Sequence, residues 1–272
     1  MKKKLLACDI DGTLVHNHKQ FISKEDLDAI KKFREAGNLF TLCTGRTLVW
    51  TLPLIEKFEI QTDGLILCNG SMIYKTNPNS LLNIVEIENS SISNKIGLEI
   101  LEYFYHLKNY TIYWDDGTMT YEIADRLLSK VSTIIQENHS VHINITEALT
   151  QTTNFVTIGA TPMSCVFEEA EQTKKTILEK WGDHVTAFRN QYFIDIAPKD
   201  ASKGNGIKKF QSHLPHDIEI YSVGDSFNDL PMFETVGKSN AFLMANGESS
   251  LTNYASHTVK SVAECIDIIL SL

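Results

Sequence analysis

The sequence lacks the material for a disulfide framework. Its five cysteines, Cys8, Cys43, Cys68, Cys165 and Cys265, are odd in number, far apart and never in a CxxC pair, so neither a crosslinked secreted scaffold nor a thiolate zinc site is indicated. Basic charge is also scarce. With 25 lysines and arginines against 34 acids the net charge is −9, the wrong sign for a nucleic acid or an anionic membrane as partner. No apolar run approaches the roughly 18–20 residues of a membrane span. Lys2 to Lys4 followed by Leu5-Leu6-Ala7-Cys8 imitates a lipoprotein leader, but a signal peptide needs an apolar stretch of about 7–15 residues, which Leu5, Leu6 and Ala7 do not supply. The composition, with 14 Gly, 6 Pro, 43% hydrophobic and 22% charged residues, excludes collagen-like, disordered and coiled-coil chains. What is present is 272 residues, one large domain or two modest ones, expected in a reducing cytoplasm with small solutes as partners and no obligate protein partner.

Along the chain, the apolar run Leu5 to Cys8 predicts a buried strand that runs into the acidic turn Asp9-Ile10-Asp11-Gly12-Thr13. Ser23-Lys24-Glu25-Asp26 has capping-box spacing and opens a helix whose Leu27, Ile30 and Phe33 share a face before Gly37. Leu39 to Cys43 and Leu65 to Cys68 are further strands, the first followed by Thr44-Gly45-Arg46 and a helical stretch, the second by Asn69-Gly70. This alternation is the rhythm of a parallel α/β sheet. From about Asn83 to Phe188 the texture becomes α+β, with helical candidates Ile92 to Leu107, Ala124 to Glu137 and Cys165 to Trp181 among short strands that suit an antiparallel sheet covered on one face. The α/β rhythm then resumes with Phe193 to Ile196, a helix from Lys203, the strand Ile218 to Val223 and the elements after it. One domain interrupted by another explains this order.

In an open parallel sheet, ligands sit beyond the carboxyl ends of the strands. The polar residues gather there: Asp9 and Asp11 after the first strand, Thr44, Gly45 and Arg46 after the second, Asn69 after the third, and Gly224-Asp225-Ser226-Phe227-Asn228-Asp229 after Ile218 to Val223. Asp9, Asp11, Asp225 and Asp229 would repel one another unless a cation neutralised them. A hard divalent ion, most simply Mg²⁺, meets that need. A phosphate is the ligand that calls for Mg²⁺, a free amide at Gly45, a hydroxyl and a lysine together.

Asp9-Ile10-Asp11-Gly12-Thr13-Leu14, Thr44-Gly45-Arg46, Lys203 in Ser202-Lys203-Gly204, and Gly224-Asp225-Ser226-Phe227-Asn228-Asp229 resemble, in order, the four motifs of the haloacid dehalogenase superfamily of phosphotransferases. Residues 15–43 leave no room for a cap after the first motif, whereas residues 70–202 do; that placement resembles the Cof-type subfamily with a C2B cap. The resemblance implies an α/β fold: a Rossmannoid parallel-sheet core of residues 1–82 and 189–272, with an inserted α+β cap of residues 83–188. It also implies a mechanism. Asp9 would be the nucleophile that forms an aspartyl phosphate, and Asp11 the general acid and then base, exchanging a proton near neutrality. Mg²⁺ would be held by Asp9, the backbone carbonyl of Asp11, and Asp225. Thr44 and Lys203 would bind the phosphoryl oxygens, Gly45 and Asn228 would support them, and Asp229 would orient the metal shell or Lys203. Arg46 and Asn69 are the further candidates for phosphate or substrate contact.

Other features have plainer readings. His16 and His18 have no carboxylate or thiol neighbour and read as loop residues, and Cys8 and Cys43 as small buried hydrophobes. Tyr113, Trp114, Asp115 and Asp116 form either an aromatic platform for sugar hydroxyls or a hydrophobic strand ending in a turn, and Arg189 lies near the return to the core. Met244-Ala245-Asn246-Gly247 stands where the subfamily has Met-Gly-Asn-Ala, and Ser261-Val262 where it has Gly-Val; both concern the loop path beside the fourth motif. The resulting expectation is a Mg²⁺-dependent phosphatase of small phosphorylated metabolites. Sugar phosphates come first, with pyridoxal phosphate, flavin mononucleotide and nucleotides behind them. A phosphomutase of the same superfamily and a non-enzymatic phosphate-metabolite sensor are the alternatives.

Overall fold

The structure, a computed structural model, describes residues 2–15, 21–77, 80–125 and 140–272. The chain separates into two compact units, one of residues 1–46, 51–88 and 202–272, the other of residues 47–50 and 89–201. Among the described residues no helix is long and apolar enough to cross a membrane.

The first unit opens with β1 (Lys3–Cys8), whose Leu5 to Cys8 are wholly buried, as an apolar run covered on both faces of a parallel sheet requires. Helix α1 (Lys24–Glu35) follows, with the Ser23 hydroxyl accepting from the Asp26 N–H at 3.0 Å, as its capping spacing predicts. Next come β2 (Leu39–Cys43), α2 (Leu48–Phe58), β3 (Gly64–Leu67) and two further strands, β4 (Met72–Asn77) and β5 (Ser80–Asn89). β4 runs antiparallel to β3, with Leu67 opposite Met72, and carries the core sheet on to β5. The expected start of the inserted domain at residue 83 therefore moves to 89.

The second unit contains α3 (Asn94–Leu107), β6 (Tyr110–Asp115), β7 (Thr120–Ile123), β8 (Ser140–Ile143), α4 (Ile145–Gln151), β9 (Thr157–Pro162), α5 (Phe167–Trp181), β10 (Val185–Asn190) and β11 (Phe193–Pro198). Its sheet has the order β10-β11-β9-β6-β7-β8 and is antiparallel where β10 meets β11, β11 meets β9, β9 meets β6 and β6 meets β7. Ile112, Trp114, Ile158, Ile194 and Ile196 pack with Ile100, Phe104, Ile177 and Trp181 of α3 and α5 into one core. β11 was expected in the catalytic core. It instead pairs with β10 along its whole length, Asn190 opposite Phe193, so the return to the core falls at 201/202 and not at 188/189. Most of the expected helix Ala124 to Glu137, like His16 and His18, lies outside the described residues.

The first unit is completed by α6 (Lys203–Gln211), β12 (Ile218–Gly224), α7 (Leu230–Val236), β13 (Ala241–Met244), β14 (His257–Val259) and α8 (Val262–Ser271). Its sheet has the order β14-β13-β12-β1-β2-β3-β4-β5, parallel from β14 to β3. The first strand lies at the centre, beside β12 on one side and β2 on the other. The chain thus leaves β1, β12, β2 and β3 at one edge, where a ligand of such a sheet binds.

Candidate active site

Register brings the acids together. Cys8 lies opposite Val223 in the β1–β12 ladder, and the Asp9 N–H donates to the Val223 carbonyl at 3.0 Å, so Asp9 and Asp225 leave adjacent strands at the same level. Asp225 also needs the glycine in the first motif. Gly12 has φ of +90° and a Cβ there would lie 2.3 Å from Asp225 Oδ2, so both the turn and the close approach exclude a side chain.

Lys203, the first residue of α6, is wholly buried. Its Nζ donates to Asp9 Oδ1 at 2.5 Å and to Asp229 Oδ1 at 2.6 Å. Burial disfavours the ammonium, but Asp229 and Asp9 outweigh it and hold Lys203 above the ordinary lysine range. Asp229 is itself saturated, because its Oδ2 accepts the N–H groups of Asp225 at 2.8 Å and Ser226 at 2.9 Å. Asp229 therefore fixes both Lys203 and the loop that carries Asp225. A Cβ on Gly224 would lie 2.5 Å from its carboxyl group, so this glycine makes room for it.

Oxygen atoms of Asp9, Asp225 and Asp229 lie within 4.8 Å of one another. With Oδ1 of Asp9 engaged by Lys203 and Oδ1 of Asp225 accepting from Thr13 Oγ1 at 3.1 Å, the other oxygens of Asp9 and Asp225 are the ones a cation would take. An all-oxygen set suits a hard divalent ion such as Mg²⁺. The electrostatics point the same way. Burial, then the charges of Asp229 and Asp225, push Asp9 well above the usual carboxylate range against the pull of Lys203, and burial followed by Asp229 pushes Asp225 up to about 7. Below that pH a proton on Asp225 competes with the cation. Mg²⁺ affinity is thus expected to climb as pH rises from about 5 to about 7 and then level off; titration calorimetry showing a flat affinity over that range would contradict the assignment.

The second motif is stitched to the third strand end. Thr44, buried, donates its N–H to the Ile66 carbonyl at 2.9 Å and accepts the Asn69 N–H on its own carbonyl at 3.0 Å, and its Oγ1 accepts the Arg46 N–H at 3.1 Å. Gly45, half-buried, lies between them. Asn69 adopts a left-handed conformation with φ of 53°, and its Oδ1 accepts from Asn228 Nδ2 at 3.4 Å. Asn69 and Asn228 thereby form one buried amide pair. Arg46, expected on a phosphate or substrate, is engaged elsewhere: its Nε and Nη2 donate to the two oxygens of Asp11 at 2.8 and 2.7 Å.

Two residues given no role by the sequence reading belong to the site. Thr13 orients Asp225, and Asn246 donates from Nδ2 to the Gly12 carbonyl at 2.8 Å. Thr13 stands in the first motif and Asn246 in the Met244-Ala245-Asn246-Gly247 stretch, which the sequence marks only as a matter of loop path. In the second unit the turn reading holds. Trp114 is wholly buried, Asp115 accepts from the Gly117 N–H at 2.8 Å, and Asp116 from the Thr118 N–H at 2.8 Å and the Met119 N–H at 2.9 Å. Arg189 is tied to Glu171 at 3.0 Å and to the Gln191 carbonyl at 2.8 Å.

The profile of the haloacid dehalogenase-like hydrolases matches residues 6–267. Among curated relatives, the chain is 28% identical to 5-amino-6-(5-phospho-D-ribitylamino)uracil phosphatase YwtE of Bacillus subtilis, covering 98% of each, and 24% identical to pyridoxal phosphate phosphatase YbhA of Escherichia coli, again covering 98% of each. Among solved structures, a haloacid dehalogenase-like hydrolase from B. subtilis superposes with a TM-score of 0.80 at 22% identity, over 97% of this chain and 99% of that one. A HAD subclass IIB sugar phosphatase does so with a TM-score of 0.80 at 18% identity, over 99% and 100%. With the motifs at the ends of β1, β2 and β12 and at the start of α6, and with a match over nearly its whole length, the chain belongs to the haloacid dehalogenase-like hydrolase family, as an enzyme of its phosphatase branch.

Proposed function

We propose that the protein is a Mg²⁺-dependent phosphatase of small phosphorylated metabolites, sugar phosphates first, working through a phosphoryl group carried on Asp9. The observation that supports this most strongly is the buried Lys203 bridging Asp9 and Asp229 beside Asp225. A buried lysine held charged by two carboxylates, with a third carboxylate alongside, is a costly arrangement that a phosphate and a divalent cation would complete.

In this reading Asp9 and Asp225, with the Asp11 backbone carbonyl, hold the cation. When bound, Mg²⁺ supplies positive charge that screens the nucleophile from the phosphate and stabilises the charge on the transferring group. The Asp9 carboxylate attacks phosphorus while the bond to the leaving oxygen breaks, and Asp11 gives that oxygen a proton. Lys203 draws Asp9 towards its ionised form and, with Thr44, meets the phosphoryl oxygens. Gly45, Asn69 and Asn228 shape the rest of the phosphate cradle. In the second step Asp11 takes a proton from water, the water oxygen bonds to phosphorus, and the bond from phosphorus to Asp9 breaks.

The test is phosphate release from a panel of sugar phosphates, pyridoxal phosphate, flavin mononucleotide and nucleotides, with Mg²⁺ or excess chelator. Release that requires Mg²⁺ is expected, strongest on a sugar phosphate. No release from any compound by a folded, Mg²⁺-binding protein would overturn the phosphatase reading in favour of transfer to a second sugar hydroxyl or of sensing.

A further inference from the structure

The pair between Arg46 and Asp11 differs from the other ion pairs near the site. It is bidentate, Nε to Oδ2 at 2.8 Å and Nη2 to Oδ1 at 2.7 Å, the fork pairing in which a guanidinium fixes both the place and the tilt of a carboxylate. Arg46 is the better anchored partner. Its N–H donates to Thr44 Oγ1 at 3.1 Å and its carbonyl accepts the Cys68 N–H at 3.0 Å, so its backbone is held from two strand ends. The Asp11 side chain is more open, at 43% exposed against 18% for Arg46, and among the described residues no other side chain donates to it. The orientation of Asp11 therefore depends on Arg46.

We infer that Arg46 is a positioning residue for Asp11, holding its carboxylate ready to act as the base in breakdown of phosphorylated Asp9. The inference rests on the reaction proposed above. In the step concerned, one water proton moves to an Asp11 oxygen, the water oxygen bonds to phosphorus and the bond from phosphorus to Asp9 breaks, leaving inorganic phosphate and a free Asp9 carboxylate. Arg46 takes no proton and bonds no reacting atom. Its contribution is the place and tilt of the Asp11 carboxyl group, and with a leaving group that needs no proton that contribution falls on the second step alone.

The two half-reactions separate with p-nitrophenyl phosphate and Mg²⁺, because p-nitrophenolate departs without help from an acid. Rapid mixing of the full-length enzyme gives the rate of phenolate release, and acid quenching gives the decay of phosphorylated Asp9. For Arg46→Met, phenolate release is expected within about threefold of wild type, while decay slows at least about tenfold, inside the 10²–10⁴ that a positioned base supplies. A burst of phenolate stoichiometric with enzyme follows. Arg46→Lys, which keeps the charge and one donor but not the fork, is expected to recover part of the decay rate, and it keeps the question answerable if the Met variant unfolds. Equal slowing of both steps, or an unchanged decay with a raised KM, would overturn the inference; the latter would make Arg46 a substrate-binding residue. A wild-type enzyme that never carries phosphate on Asp9 would overturn the underlying reading itself, and that result is visible before any variant is made.

Discussion

Replacing Asp9 by Asn is expected to lower phosphate release by at least about 10⁴-fold while leaving the fold intact. The amide has nearly the volume of the carboxyl but no anionic oxygen to bond phosphorus. It also offers Lys203 a carbonyl in place of Oδ1, and Lys203 keeps its second partner, Asp229, at 2.6 Å. Stability moves in the opposite direction from activity. Burial and the neighbouring carboxylates raise Asp9 well above its usual range in the metal-free protein. A carboxyl whose native pKa lies above its unfolded value stabilises the fold while it holds its proton and loses that contribution as pH rises. At neutral pH and without Mg²⁺ the Asn variant should therefore melt no lower than wild type. Residual release above about one hundredth of wild type, or a lower melting temperature without metal, would contradict this.

Lys203→Met carries the largest expected effect on stability. Lys203 is the buried cation between Asp9 and Asp229, and removing one member of a buried charged set leaves the others uncompensated, a loss of about 3–5 kcal/mol. The loss is expected at neutral pH without metal. It should shrink on acidification towards about pH 4, the unfolded value of an aspartate, because Asp9, raised by burial and its neighbours, then holds a proton in the folded state. Mg²⁺ should also restore part of it, by replacing the missing positive charge. Denaturant unfolding at several pH values, with and without Mg²⁺, reads both dependences. A variant as stable as wild type at neutral pH without metal would show that Lys203 does not neutralise the cluster.

Much of this site was legible in the sequence because strands of a parallel sheet are short apolar runs with chemistry at one end. Leu5 to Cys8 is such a run, and Asp9 and Asp11 stand where it stops; Asp225 and Asp229 follow Ile218 to Gly224 in the same way. The return of the Asp229 side chain to the Asp225 N–H was not read from the sequence and is seen only in the folded loop. The domain boundaries were less legible. Periodicity identifies a strand but not its partner, so Phe193–Pro198 was assigned to the core although its register pairs it with Val185–Asn190, and the strand Ser80–Asn89 was split by a cap boundary placed at residue 83.

Side-chain pairing across the fold was beyond local reasoning. Arg46 and Asp11 belong to different strand ends, and no spacing links them. The same holds for Asn246, whose contact with Gly12 joins the two ends of the chain. At Trp114 the ambiguity was of another kind. An aromatic beside two acids suits a sugar platform, but alternation along Tyr110–Asp115 turns Ile112 and Trp114 into the core and leaves Asp115 and Asp116 to tie the following turn.

The most direct test of Asp9 as nucleophile is to quench the enzyme in acid during steady turnover of p-nitrophenyl phosphate with Mg²⁺ and locate the phosphoryl group by peptide mass spectrometry. The account predicts a phosphoryl group on Asp9, absent when Mg²⁺ is chelated and absent from Asp9→Asn. Turnover without a phosphorylated peptide, or with the phosphoryl group on another residue, would contradict it.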